Sequence, residues 1–485
     1  MAAPTQTCGL INAANNKYLT GEKFGFTVNA NGATIKSKQI WQIVSKEGSE
    51  HVFLRSPHNR YLAATEKGVV TADSEEMSGN AAFFFEPQKS GRVAFKSVHN
   101  YYFGGEGDKL SCFSKTVGDQ ESWIIHLANH PQFVLRNVQR KCYVTCDEKA
   151  NEMRTTEEHP WGAEAVITLE FDRPSGSYLL RASNNMVLSQ SGKLINDVNE
   201  DSRFQVEFRS GYVAFRASNG KYLAGVGSTG ALQARREKVD KDALFALEDS
   251  LPQIQLISHS GKYVSIARGV EVSASQSEPT TKEIFQLTWA DGKVALRSAS
   301  GKFVSASSSS LQDNGEEASG DNLYEIAFNG ATVTFKANSG RYVITKPNGT
   351  LSATGDSAEE PKAVFTLNIV NRPLLVLRGE HGFVSTVPTS KDKRYEANRS
   401  MYEVLSVNVE SGIYTLKGAN GQNVSQIENK TFSANGGEPA RFHFEIQPNS
   451  RMALRLVGGA LLKGVSNGGF SESGEEIGKE TVFEY

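Results

Sequence analysis

The chain has 485 residues, 39% of them hydrophobic and 22% charged, which is enough apolar content for several packed cores and excludes a disordered chain. A formal net charge of −2 excludes the chain-wide basic field that holds nucleic acid or an anionic membrane surface, so an acidic partner has to be met by local patches. No run of 18 apolar residues offers a membrane span, and the opening MAAPTQTCGLINAANN lacks a basic stretch followed by an apolar one, so a cytoplasmic protein is expected. Cys8, Cys112, Cys142 and Cys146 then read as reduced thiols, and the sequons at Asn348, Asn398, Asn423 and Asn429 as incidental.

From the N-terminus a short segment recurs: NNKYLT at Tyr18, HNRYLA at Tyr61, HNYYFG at Tyr102, RKCYVT at Tyr143 and NNMVLS at Val187. It continues as NGKYLA at Tyr222, SGKYVS at Tyr263, SGKFVS at Phe303 and SGRYVI at Tyr342, and more weakly at Phe383, Asn423 and Leu461. The twelve copies lie on average near 40 residues apart. Most follow a run such as VFLRS, VAFKS, FVLRN or VAFRA, whose apolar–polar alternation predicts a half-buried strand. Asn219-Gly220, Ser260-Gly261 and Ser300-Gly301 between the two strands supply the positive φ of a tight hairpin. An aromatic-led strand closes most repeats, as in WQIV, WIIHL, FQVEF, FALED, FQLTW and YEIAF, and no sustained helical period appears.

A longer period lies over this one. Pro131, Pro252 and Pro373 stand 121 residues apart, each opening an apolar strand where a missing N–H costs little. They are read as domain starts, giving domains 1–130, 131–251, 252–372 and 373–485 with three repeats each. Three repeats of four short strands make a β-trefoil, six strands closing a barrel and three hairpins capping it. The fold class expected is therefore all-β, four tandem β-trefoils, with the recurring aromatics and aliphatics pointing inward. Propellers share the repeat length, but three blades do not close. The links between domains are short and not Gly/Ser-rich, so a rigid body is expected.

Catalytic motifs are weak. Gly225-Val-Gly227-Ser-Thr-Gly230 matches GxGxxG but lies inside a β-repeat without a following helix, which reads as a hairpin loop. His126 and His130 lack an HExxH glutamate, and four-residue spacing on a strand puts two side chains about 13 Å apart, as it does for Cys142 and Cys146. No nucleophile elbow or phosphate loop appears, so neither catalysis, metal nor cofactor is expected. Basic residues instead gather in loops: Lys36 with Lys38; Arg235, Arg236, Lys238 and Lys241 diluted by acids; and Lys391, Lys393 and Arg394. Each is a solvated loop unless several share a face.

Over its full length the chain resembles the fascins, on GLINAANNKYLT, FGFTVNA, KQIW, YFGGEGDKLSCF, FRSGYVAFRASNGKYLA, NRPLLVLRGEHGF and the terminal FEY. The resemblance implies a monomer of four trefoils, without cofactor, that cross-links filamentous actin into tight parallel bundles in filopodia, microvilli and similar protrusions. It implies an actin site where the first and fourth trefoils meet, matched here by Thr34, Lys36, Lys38, Arg378, Glu380, His381 and Lys463. Further actin contacts are expected at Lys17, Arg92, Arg140 and Lys141, and at Arg268, Ser273 and Lys346. Thr34 stands where the family carries a regulatory serine, and Thr34 and Ser273 are expected phosphorylation sites; the stretch 387–400 departs from the family pattern. The alternative is a tandem trefoil lectin, but its Gln-x-Trp is not repeated among the four tryptophans. No nucleic-acid partner and no membrane insertion are expected.

Overall fold

The computed structural model describes residues 6–46, 49–77, 79–88, 91–209, 211–306, 309–474 and 476–485, without the side chains of Gln6, Ala267 and Arg268. The fold is all-β: the described residues form strands joined by turns and single turns of 3₁₀ helix, with no α-helix. Among the described residues no helix is long and apolar enough to cross a membrane.

Among the described residues three sheets of 12 strands follow one another in sequence, and the last part of the chain forms one sheet of nine strands and one of four. Each region closes by pairing an early strand with its last. Gln6–Asn12 runs antiparallel to Trp123–Leu127 with Leu10 opposite Ile125. Gln253–Ser258 pairs Phe365–Ile369 with Leu256 opposite Leu367, and Arg378–Gly379 pairs Val482–Glu484 with Arg378 opposite Glu484. Closure removes sheet edges and leaves each barrel an apolar interior. These are tandem β-trefoils. The chain divides into two compact units, Met1–Pro160 with Ile167–Glu248, and Trp161–Val166 with Asp249–Tyr485.

In most copies the repeat motif behaves as alternation demands, which corrects one expectation, whereas Tyr18, Val187, Phe383 and Leu461 are buried together with the residue that follows. Tyr61, Tyr102, Tyr143, Tyr222, Tyr263, Phe303 and Tyr342 are only half-buried, whereas the next residues, Leu62, Phe103, Val144, Leu223, Val264, Val304 and Val343, are buried. Successive strand side chains face opposite ways, so only one of the pair can enter the barrel. The aromatic instead lies beneath a cation of the neighbouring strand: Lys96 is 5.7 Å from the Tyr102 ring centre, Arg136 5.8 Å from Tyr143 and Lys336 5.9 Å from Tyr342. The aromatic-led strands fill the barrels: Trp41, Phe83, Trp123, Phe204, Phe245, Phe285, Tyr324 and Phe365 are all buried. Their polar atoms donate to repeat strands, Trp41 to the Leu19 carbonyl at 3.1 Å, Trp123 to Phe103 at 3.1 Å and Tyr324 to Val304 at 3.2 Å.

Before seven of these strands the chain makes a 3₁₀ turn that the repeat reading did not foresee, as at Ser37–Gln39, Glu200–Ser202, Lys241–Ala243 and Thr281–Glu283. Side chains of Asn199, Asp240 and Thr280 cap three of them by accepting backbone N–H groups of the turn. The hairpin turns take positive φ at Gly220 (79°), Gly261 (75°) and Gly301 (84°), and at Asn16 (55°), Asn59 (60°) and Asn100 (63°) where the repeat has no glycine. Asparagine tolerates that region better than other side chains do.

Within each unit two successive trefoils are pinned by a tyrosine. The buried Tyr178 hydroxyl accepts from the Leu127 N–H at 2.7 Å and donates to the Ile125 carbonyl at 3.0 Å. In the second unit Tyr414 accepts from Ile369 N–H at 2.7 Å and reaches the Leu367 carbonyl at 3.5 Å. The other edge of each closing strand is held by its own barrel, through Ala128 N–H to Thr7 and Val370 N–H to Gln253, both 2.8 Å. A phenol thus stands in for a neighbouring strand.

Candidate partner-binding surfaces

In the first unit, the segment after strand Val28–Gly32 turns sharply at Lys36, whose N–H donates to the Gln39 side-chain oxygen at 3.1 Å. Gln39 is buried and donates from its side-chain nitrogen to the Thr20 hydroxyl at 2.9 Å. One buried amide therefore fixes the turn and leaves Lys36 and Lys38 exposed, with Thr34 half-buried at its entrance. Lys38 pairs with Glu22 at 2.7 Å and holds that carboxyl below its ordinary range. Lys36 has no ion pair among the described residues.

In the second unit, Arg378, His381 and Lys463 come together around two carboxylates that the sequence reading missed. Arg378 donates from Nε to Glu484 at 2.6 Å, opposite it in the ladder, and Arg451 approaches the other oxygen at 3.7 Å. Lys463 pairs with Glu480 at 2.8 Å, and His381 lies 3.4 Å from the same carboxylate. Lys463 first, then His381, draw the Glu480 carboxyl below its ordinary range. Glu380 is exposed at the hairpin tip. This cluster is close to charge-balanced, so its cations are offset before any partner arrives.

Unpaired positive charge lies instead in the loop 387–394. Val387 N–H donates to the Arg394 carbonyl at 2.9 Å, Ser390 N–H to Val387 at 3.0 Å, and Ala434 N–H to Lys393 at 3.1 Å. The loop is thereby tied to strand Thr431–Ser433 and its neighbour. Lys391, Lys393 and Arg394 are exposed and have no ion pair among the described residues.

The remaining candidates scatter. Lys17 and Lys141 are exposed in turns, and Arg92 pairs with Asp119. Arg140 donates to the carbonyls of Gly225 and Gly227, both at 2.9 Å, so it closes the hairpin holding the GxGxxG match instead of reaching out. Lys346 donates to the Ser309 carbonyl at 3.0 Å, Ser273 contacts the Ser275 hydroxyl at 3.2 Å, and Arg268 ends the strand Tyr263–Arg268 with its side chain outside the described residues. His126 is buried, stacks on Phe171 at 4.2 Å and hydrogen-bonds Tyr18 at 2.9 Å; burial, then the Arg173 charge, push its imidazole down to about 3.

Three successive stretches, residues 15–125, 134–247 and 259–367, match the fascin domain model. The chain belongs to the fascin family. It is 35% identical over 484 residues to Fascin-2 of Mus musculus, covering 98% of this chain and 97% of that protein. To Fascin of Strongylocentrotus purpuratus it is 33% identical, covering 98% of both, and to Fascin-3 of Mus musculus 23% identical, covering 98% and 96%. The family model leaves the fourth region unmatched, the one whose strands divide between two sheets.

Proposed function

We propose that this protein binds filamentous actin and cross-links it into tight parallel bundles, without catalysis or cofactor, through at least two filament-binding surfaces on one monomer. The observation that carries the reading is family membership sustained over 98% of the chain. We assign Thr34, Lys36 and Lys38 of the first unit, and Arg378, Glu380, His381 and Lys463 with the loop of Lys391, Lys393 and Arg394 in the second, to filament binding. The loop supplies the uncompensated charge that the Glu480 and Glu484 pairs take from Arg378, His381 and Lys463. Lys17, Arg92 and Lys141, and Arg268, Ser273 and Lys346, are further contacts in the same reading, with Arg140 acting by shaping its hairpin. The trefoils are delimited as 1–130, 131–251, 252–372 and 373–485, and the site of action is the cytoplasmic actin cytoskeleton of protrusions.

Each contact need not be tight, because the second filament engages at the raised local concentration set by the first. Sedimentation with actin filaments tests this: low-speed pellets report bundles and high-speed pellets report binding. Actin in both pellets, declining with salt as basic loops are screened, is the expected result. Binding without bundles removes the cross-linking claim.

A further inference from the structure

The loop between strands Tyr18–Gly21 and Val28–Gly32 displays a side chain that neither core nor strand pattern explains. Phe24 is 91% exposed, far above any other large apolar residue described, the next being Phe113 at 58%. The loop is not slack. Glu22 N–H donates to the Thr27 carbonyl at 2.9 Å, and Ala72 N–H of the next hairpin donates to the Phe26 carbonyl at 2.8 Å. Arg60 lies 5.5 Å over the Phe26 ring. Gly25 and Phe26 both take positive φ, 65° and 48°. For a bulky residue such as Phe26 that conformation is uncommon and persists only where the surroundings over-determine it. The backbone is thus bent to hold one phenyl ring in water.

The loop is also tied to the 34–39 turn, because its one acid, Glu22, is closed by Lys38. With Glu22 neutralised, the charge next to Phe24 is that of Lys23, exposed and without an ion pair among the described residues, as Lys36 is on the attached turn. An apolar knob with a cationic collar fits an apolar recess rimmed by carboxylates. Buried aromatic anchors ringed by polar contacts are where interface energy concentrates.

We propose that Phe24 is the apolar anchor of the first unit's filament contact, seated in an acid-rimmed recess of the actin filament with Lys23 and Lys36 at its edge; this rests on the actin reading above. The loop backbone is already held by its hydrogen bonds, so little loop entropy remains to be lost on binding.

The test is high-speed co-sedimentation of the full chain, comparing wild type, Phe24→Ala and, as an exposed apolar control, Val198→Ala, each checked by thermal melting. Phe24→Ala is expected to melt like wild type and to bind filaments about 10- to 50-fold more weakly, with Val198→Ala unchanged. The fold-loss is expected to be similar at low and moderate salt, because apolar burial is not screened as ion pairs are. Wild-type binding with Phe24→Ala equal to it overturns the anchor and leaves the actin reading standing. A wild type that fails to pellet with filaments overturns both. Concentration-dependent self-association of wild type that Phe24→Ala abolishes makes the occupant a second copy of this chain and likewise overturns the proposal.

Discussion

Replacing Tyr178 by Phe removes one oxygen and leaves the ring in place. The hydroxyl satisfies two main-chain groups of the preceding trefoil, the Leu127 N–H at 2.7 Å and the Ile125 carbonyl at 3.0 Å, on residues that are themselves buried. Both groups face away from the strand that pairs with Trp123–Leu127, since the intervening register is taken by the bond from Ala128 N–H to Thr7. No backbone group of that strand replaces the phenol. Leaving a buried donor and acceptor unpaired costs about 1–3 kcal/mol each, so the variant is expected to lose roughly 2–4 kcal/mol, the lower part if water enters. For a unit of this size that is a fall in melting temperature of about 5–10 °C. Differential scanning calorimetry reads it, with Tyr61→Phe as control: that tyrosine is half-buried and its hydroxyl makes no hydrogen bond among the described residues, so a change under about 0.5 kcal/mol is expected. If Tyr178→Phe melts together with Tyr61→Phe, the phenol does not act as a surrogate strand.

Thr34→Glu adds negative charge beside Lys36 and Lys38 at a half-buried, non-core position, and is expected to weaken bundling several-fold in low-speed pelleting while the melting curve stays unchanged; equal bundling removes the switch. His126 is held neutral by burial with a folded pKa of about 3, below the ordinary imidazole value of roughly 6.5 in the unfolded chain. Between those values the unfolded chain binds the extra proton, so the first unit is expected to lose stability as pH falls from about 6.5 towards 3, and His126→Phe to flatten the decline in acid denaturation followed by fluorescence. Arg372 is buried, donates to the Ser250 hydroxyl at 3.1 Å and the Ser250 carbonyl at 2.9 Å, and lies 5.1 Å over the ring of Tyr485. Arg372→Ala is expected to destabilise the second unit by about 3 kcal/mol in urea titration, since it removes these bonds and leaves a cavity beneath the last residue.

Features that repeat were legible in the chain. The aromatics at Trp41 and Trp123 carry the all-β repeat architecture, because barrel closure imposes the same buried positions on successive copies. The Asn219-Gly220 turn was readable for the same reason, its φ being a local requirement. Which side of a strand a residue faces was harder: Tyr102 and Phe103 are both apolar neighbours, and only the barrel decides that Phe103 enters it. The capped 3₁₀ turns left a signal that was passed over, a Thr, Asp or Asn five residues before a buried aromatic, as Thr280 before Phe285 and Asp240 before Phe245. The candidate sites were least legible, because charge balance depends on partners far along the chain. Arg378 meets Glu484 and Lys463 meets Glu480 through sheet pairing and side-chain reach that no local window contains, while Lys391 and Lys393 are left free by the same topology. Nothing in the local pattern of FGFTVNA marks Phe24, and only its loop places it in solvent.

Two-colour fluorescence microscopy of polarity-marked actin filaments, with the protein held at a concentration where light scattering finds it monomeric, bears most directly on cross-linking by a single chain. Filaments of the two colours zipping into pairs with their marked ends together are the predicted result. Filaments that become decorated yet stay single, or that pair only once the protein itself associates, contradict it.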